Sequence, residues 1–119
     1  MNTRQMIEYL KTPEAAKALS RIYPGLEGGE AARYQSLAQR HLEIFGEVDE
    51  LVFASAPGRT EIAGNHTDHN HGRVLAAAIS LDTVATASKR PDATVTLYSE
   101  GYDKPFTVDL NELEAVPAE

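Results

Sequence analysis

The stretch "EAARYQSLAQRHLEIFG", residues 30 to 46, carries the strongest periodic pattern in this 119-residue chain. Side chains suited to burial recur there at the i, i+3, i+4, i+7 spacing of one helix face. They are Tyr34, Leu37, Ala38, His41, Leu42 and Phe45. Gly46 follows as a candidate C-cap. The pattern predicts one amphipathic helix whose buried stripe includes a core tyrosine and a core histidine.

Two shorter helices are predicted before this one. Residues 3 to 10 form a short amphipathic segment, and "TPEAAKALSRIYPG" follows at residues 12 to 25. Thr12 is suited to be its N-cap, Pro13 suits the first helical position, and the Pro-Gly pair suits its end. Residues 1 to 46 are therefore predicted to be a helical lead-in.

After residue 50 the sequence changes to strand patterns. The predicted strands are "LVFASA" at 51 to 56, "TEIA" at 60 to 63, "LDTVATASKR" at 81 to 90, "TVTLYS" at 94 to 99 and "PFTVDL" at 105 to 110. A turn at Pro57-Gly58 separates the first two, and "TVTLYS" is predicted to be the return strand of the segment before it. The fold class is therefore α+β, with N-terminal helices followed by a mixed or antiparallel sheet over residues 51 to 110.

Composition and charge exclude several classes of partner. The formal net charge is -7, the chain has no cysteine, and its 11 basic residues are scattered along the sequence. A protein that neutralises nucleic-acid phosphates normally shows a basic stripe. The sequence also lacks a run of apolar residues long enough for a membrane span and lacks a signal-peptide pattern. We therefore predict a cytoplasmic protein with no nucleic-acid or membrane partner.

The loop "GNHTDHNHG", residues 64 to 72, allows three interpretations. His66, Asp68, His69 and His71 are residue types that bind Zn²⁺ and similar ions. In an extended segment, however, alternate side chains point to opposite faces, which disfavours one shared metal. A second interpretation is a polar turn, in which Asn, Asp and Thr bond to their own backbone.

The third interpretation is a sugar-binding loop. A buried hexose needs short donors and acceptors at fixed positions, because an unpaired hydroxyl is costly. Asp68 can accept hydrogen bonds from two neighbouring hydroxyls, while Asn65 and His66 can each donate and accept. The residues alone leave the three interpretations open.

The segment "APGRTEIAGNHTDHNHGRVLAAAI", residues 56 to 79, closely resembles the galactokinase signature. The shared positions are Gly58, Arg59, Gly64, His66, Thr67, Asp68, Asn70 and Gly72. The resemblance implies the N-terminal portion of the galactokinase-type (ribosomal S5 domain 2-like) fold, in the superfamily of galactokinase, homoserine, mevalonate and phosphomevalonate kinases. That family is an ATP-dependent phosphotransferase that phosphorylates the C1 hydroxyl of galactose.

The resemblance also implies roles for four residues. Arg59 is expected to be catalytic, beside the C1 hydroxyl and the transferred phosphoryl group, and Asn65, His66 and Asp68 are expected to bind the sugar with it. Asn65 replaces the family's usual glutamate, and His69 replaces its usual tyrosine. These departures leave open which hexose is bound and keep a non-catalytic galactokinase-like sugar sensor as an alternative.

Other charged residues are given structural roles. Glu61 faces the same way as Arg59 and is predicted to form an ion pair with it. Arg73, Lys89 and Arg90 could attract phosphate, although solvated strand ends explain them equally well.

The sequence contains no glycine-rich phosphate loop of the family's kind. We therefore predict that residues 1 to 119 are a single domain, the N-terminal fragment of a longer kinase, inactive alone. The residues for ATP and Mg²⁺, together with the C-terminal domain, are expected beyond Glu119, and no residue in the chain is assigned to a cofactor or metal. Because the missing part would leave sheet edges open, we also predict self-association of the fragment.

Overall fold

A computed structural model describes residues 1 to 25, 29 to 64 and 70 to 113. Its helices are α1 (Thr3–Tyr9), α2 (Pro13–Ile22) and α3 (Glu30–Phe45), and its strands are β1 (Val52–Ala63), β2 (Leu75–Ala87), β3 (Thr94–Leu97) and β4 (Phe106–Asp109). Both strand pairs are antiparallel. The predicted α+β class, with helices first and strands after, is confirmed.

The three predicted helices are confirmed, with α1 ending at Tyr9, one residue before the predicted end. Asn2 accepts a hydrogen bond of 2.8 Å from the Gln5 backbone N–H, and the Gln5 side chain accepts one in return, forming a capping box. Thr12 caps α2 by accepting from Ala15. Gly46 ends α3 with a φ of 77°, in the left-handed region that glycine adopts readily. Within the described ranges, no helix is long and apolar enough to cross a lipid bilayer.

The first strand corrects one prediction. Residues 51 to 56 and 60 to 63 were expected to be separate strands joined by a turn at Pro57-Gly58, but β1 runs without a break from Val52 to Ala63. The Pro-Gly pair lies instead at an irregularity in the ladder, between the pairs Pro57↔Asp82 and Arg59↔Ala78. A proline cannot donate to a ladder, so an interrupted position tolerates it as well as a turn does.

The strand pairing corrects another. The segment predicted to return along β2 is β3, and it pairs with β4 through Val95↔Val108 and Leu97↔Phe106. β2 pairs with β1 instead, over a much longer ladder. Alternation predicts a strand and its faces but does not choose the partner, which depends on the whole fold.

The chain divides into two compact units, residues 1 to 88 and 89 to 119. The first contains the helices with β1 and β2, and the second contains β3 and β4. That residues 1 to 119 form one domain of a longer protein stays a prediction.

The core of the first unit lies between the helices and one end of the β1–β2 pair. Its buried apolar residues are Leu10, Ala15, Leu19, Tyr23, Tyr34, Ala38 and Leu51, with Phe53 and Val84 packed against them. The predicted burial of Tyr34, Ala38 and His41 is confirmed, whereas Phe45, placed on the same stripe, is 38% exposed. The other end of the strand pair, towards residues 63 and 75, exposes large apolar side chains such as Ile62 and Leu75.

Candidate functional site

β1 carries Arg59 past the end of the helical core. The ladder changes register just before it, because Ile79, Ser80 and Leu81 of β2 lie opposite the single residue Gly58. A Cβ on Gly58 would lie 3.0 Å from Ile79 Cδ1 and 3.2 Å from the Leu81 carbonyl oxygen. The strands therefore meet closely at Gly58, and Arg59 follows as an exposed residue paired with Ala78.

The signature loop leaves the strands through a narrow neck. Gly64 has a φ of 96°, and a Cβ there would lie 2.3 Å from the Arg73 carbonyl oxygen and 2.9 Å from Val74 Cα. Only glycine fits this backbone conformation and this approach. The chain segments entering and leaving the loop are thus in direct contact at its base.

Three of the predicted sugar-binding residues, Asn65, His66 and Asp68, lie outside the described residues, so their roles stay predictions. The same holds for most of the predicted metal set. Of its members, only His71 is described; it is exposed, with a φ of 56°. In the parts of the chain that are described, no group of three or more His, Cys, Asp or Glu residues could hold a metal ion.

The structure corrects the expected pairing of Arg59. No ion pair joins Arg59 to Glu61 among the described residues, and both side chains are exposed. Two exposed side chains gain little from such a pair in water. Arg90 is exposed, as expected, and forms an ion pair of 2.7 Å with Asp92.

A polar cluster around Asp82 was missed in the sequence. One carboxylate oxygen of Asp82 accepts hydrogen bonds from the hydroxyls of Tyr23 and Ser55, and the other accepts from Arg33 Nη1, each at 2.5 Å. Arg33 Nη2 also donates to the Asp82 carbonyl oxygen at 2.8 Å. Tyr34 completes the cluster through its hydroxyl, 2.9 Å from that of Tyr23. The Asp82 side chain is only 5% exposed.

The protonation states of the cluster follow from these contacts. Hydrogen bonds from Ser55, Tyr23 and Arg33 lower the pKa of Asp82 to about 2. Burial, followed by the hydrogen bond with Tyr23, raises the pKa of Tyr34. At neutral pH Asp82 is thus a carboxylate held by charge-assisted hydrogen bonds.

One signal in the sequence indicates that Asp82 has hydrogen-bond partners. Asp82 alternates with Val84 and Thr86 in a strand, and a carboxylate on a core-facing side needs partners.

A cavity of about 240 Å³ adjoins the cluster, lined by Tyr23, Gly29, Glu30, Arg33, Ser80, Leu81 and Asp82. Arg33 and Asp82 are bonded to each other, so their charged groups are already paired. The cluster therefore connects structural elements and has few groups left to bind a ligand.

Comparison with known proteins identifies the segment around Arg59. Residues 39 to 89 match the family model described as the galactokinase galactose-binding signature. The match contains α3 from its middle onward, β1, the signature loop and all of β2. It confirms the resemblance inferred from residues 56 to 79.

The chain is also similar to curated galactokinases. It is 38% identical over 81 residues to that of Lactococcus lactis subsp. lactis and 41% identical over 81 residues to that of Streptococcus suis, each time over 66% of this chain and 20% of the relative. It is 46% identical over 65 residues to that of Staphylococcus carnosus, covering 53% of this chain and 17% of the relative. The chain thus spans about a fifth of the length of these relatives. No solved structure matches it significantly.

Proposed function

From the premise that residues 39 to 89 carry the galactokinase galactose-binding signature, we propose that this chain is the N-terminal sugar-binding part of a galactokinase. The full-length protein transfers the γ-phosphoryl group of ATP to the C1 hydroxyl of galactose or a related hexose. The chain alone is inactive. The match to the signature, with Arg59 and the loop neck inside it, is the observation that carries this proposal.

The placement of Arg59 supports its catalytic role. It lies on a paired strand, five positions before the neck glycine Gly64, and its side chain is exposed. A guanidinium near the C1 hydroxyl stabilises the negative charge that develops during phosphoryl transfer and orients the reacting oxygen. Asn65, His66 and Asp68 follow the neck and hold the ring hydroxyls of the sugar.

The N-termini of the described helices do not fit the phosphates of ATP. A triphosphate is usually bound by the free backbone N–H groups of a helix N-terminus. The first turns of α1 and α2 donate to their own caps, Asn2 and Thr12, and α3 begins with Glu30, whose negative charge repels phosphate. We therefore place the residues for ATP and Mg²⁺ in the rest of the full-length protein, which works in the cytoplasm.

The direct test is turnover by the full-length protein on several sugars. ADP release is measured with galactose, talose, N-acetylgalactosamine, glucose and arabinose, for the native protein and for Asn65→Glu. The control is Gln39→Glu, which makes the same change from amide to carboxylate at an exposed position of α3. We expect turnover on galactose or a close relative, with Asn65→Glu changing the preference among sugars and Gln39→Glu changing nothing.

Each other outcome has a definite meaning. Turnover in which Asn65→Glu and Gln39→Glu behave alike would remove Asn65 from the sugar site. Sugar binding without turnover on any of the five sugars would contradict the kinase and move the protein to the sensor class.

A further inference from the structure

The Asp82 cluster joins four elements at one point. Tyr23 is the C-cap of α2, Arg33 belongs to α3, Ser55 to β1 and Asp82 to β2. Each of the first three donates to the Asp82 carboxylate. The carboxylate therefore connects both strands to the helices through hydrogen bonds.

This point lies next to the place where the ladder changes register. Asp82 is paired with Pro57, the last regular pair before the irregularity at Gly58. The next pair is Arg59↔Ala78, so Arg59 is the first residue of β1 on the far side. The register on that side determines the face of the strand from which Arg59 projects.

Among the described residues, buried apolar side chains do little to specify that register. On the far side, Ile62 is 61% exposed, and Leu75 is 58% exposed. A strand whose apolar side chains are not buried on one face slips more readily, and a slip of one residue turns every side chain to the opposite face. The neck at Gly64 closes the far end of this part of β1, and the contacts at Asp82 anchor its near end.

We propose that Asp82 is a positioning residue for Arg59. Its hydrogen bond to Ser55, together with those to Tyr23 and Arg33, holds the near side of β1 and β2 on the helices. The irregularity at Gly58 then starts from a fixed pair, which sets the face of β1 that carries Arg59. This inference rests on the proposed function, in which Arg59 acts on the sugar's C1 hydroxyl.

The test is a double-mutant cycle in the full-length protein. Asp82→Asn keeps the side-chain shape but removes the charge, and we expect it to lower kcat by about 10²-fold, as misplacing a catalytic group does. In an Arg59→Ala background the same change should lower kcat less than twofold, because Arg59 is no longer there to be displaced. An equal loss in both backgrounds would overturn the proposal, as would an unchanged kcat in the native background.

Two further variants keep the test independent of gross unfolding. Ser55→Ala removes one donor to Asp82 and leaves its ion pair in place, so we expect an intermediate loss of about tenfold. Asp92→Asn is the matched control, because it breaks an Asp–Arg pair in the second unit; its kcat should stay within twofold of native. Similar losses for Asp82→Asn and Asp92→Asn would contradict the positioning role.

A second measurement separates this inference from the proposed function. Backbone amide hydrogen exchange over residues 58 to 63 should be faster in Asp82→Asn than in the native protein, and unchanged in Asp92→Asn. If native protein shows no turnover, the proposed function fails while this exchange difference still supports the anchor. Equal exchange in native protein and Asp82→Asn would overturn the anchor whatever the activity.

Discussion

The β1–β2 pair has a near part, which packs on the helical core, and a far part, which extends beyond that core. The near part, residues 52 to 57 with 82 to 87, packs Phe53 and Val84 on the helical core. The far part, residues 59 to 63 with 75 to 78, exposes its apolar side chains and leads into the signature loop. The contrast teaches that the buried core lies on one side of Gly58 and the residues proposed to bind the sugar lie on the other.

The largest effect is expected where the near part meets the core. Leu51, immediately before β1, is 2% exposed, whereas Leu81 of β2 is 76% exposed. Leu51→Ala should lower the free energy of unfolding by about 2 to 5 kcal/mol, and Leu81→Ala by less than about 0.5 kcal/mol. Urea unfolding of the 119-residue chain measures both. Similar losses at the two leucines would remove the contrast between the two parts.

A smaller but local effect is expected at the neck. Gly64→Ala forces an unfavourable φ and a collision with the Arg73 carbonyl, so it should cost about 3 kcal/mol of stability. Gly101→Ala is the control, because that glycine has a φ of 88° but open space around it. Gly101→Ala should lower the free energy of unfolding by about 1 kcal/mol, only through its unfavourable backbone conformation. Equal costs in urea unfolding would mean that the neck is not closed.

The smallest effect on stability is expected from the titration of His41, which contacts the near part. His41 is buried at 4% exposure, with its ring nitrogens 3.1 Å from the hydroxyls of Thr86 and Ser88. Burial lowers its pKa below the usual 6.5, so folding favours the neutral ring. The unfolded state therefore binds more protons just below pH 6.5, and stability falls as pH decreases through that range.

This dependence is checked by urea unfolding at pH 7.5 and pH 5.5. The loss of stability between them should be larger in the native chain than in His41→Gln. His71→Gln, at an exposed position of the loop, should keep the native difference. A pH dependence unchanged by His41→Gln would show that another group is responsible.

Local signals in the sequence were enough for the helices. Caps such as Thr12 and Gly46 act through their own neighbours, so their positions can be predicted from a few residues. The turn predicted at Pro57-Gly58 was wrong, because the same residues suit a turn and a ladder irregularity. The partner of β3 could not be predicted, since pairing depends on contacts distant in sequence.

The candidate site also contains some residues that a local motif predicts and others that depend on contacts distant in sequence. Arg59 was identifiable because it belongs to a contiguous motif, and the neck glycine Gly64 could be read from the same segment. The Asp82 cluster was not identifiable as a unit, because its donors come from residues 23, 33 and 55, on three other elements. Contacts of that kind become visible only when the elements are brought together.

The most direct test of the central claim is the effect of Arg59→Ala on turnover and on stability in the full-length protein. Because Arg59 lies on the exposed far part, we predict that sugar-dependent ADP release falls by about 10² to 10³-fold while the unfolding midpoint stays at the native value. Arg40→Ala is the control, since Arg40 forms an exposed ion pair with Glu43 on α3, and it should change neither quantity appreciably. A loss of turnover of only a few-fold, or a loss explained by unfolding, would contradict the account.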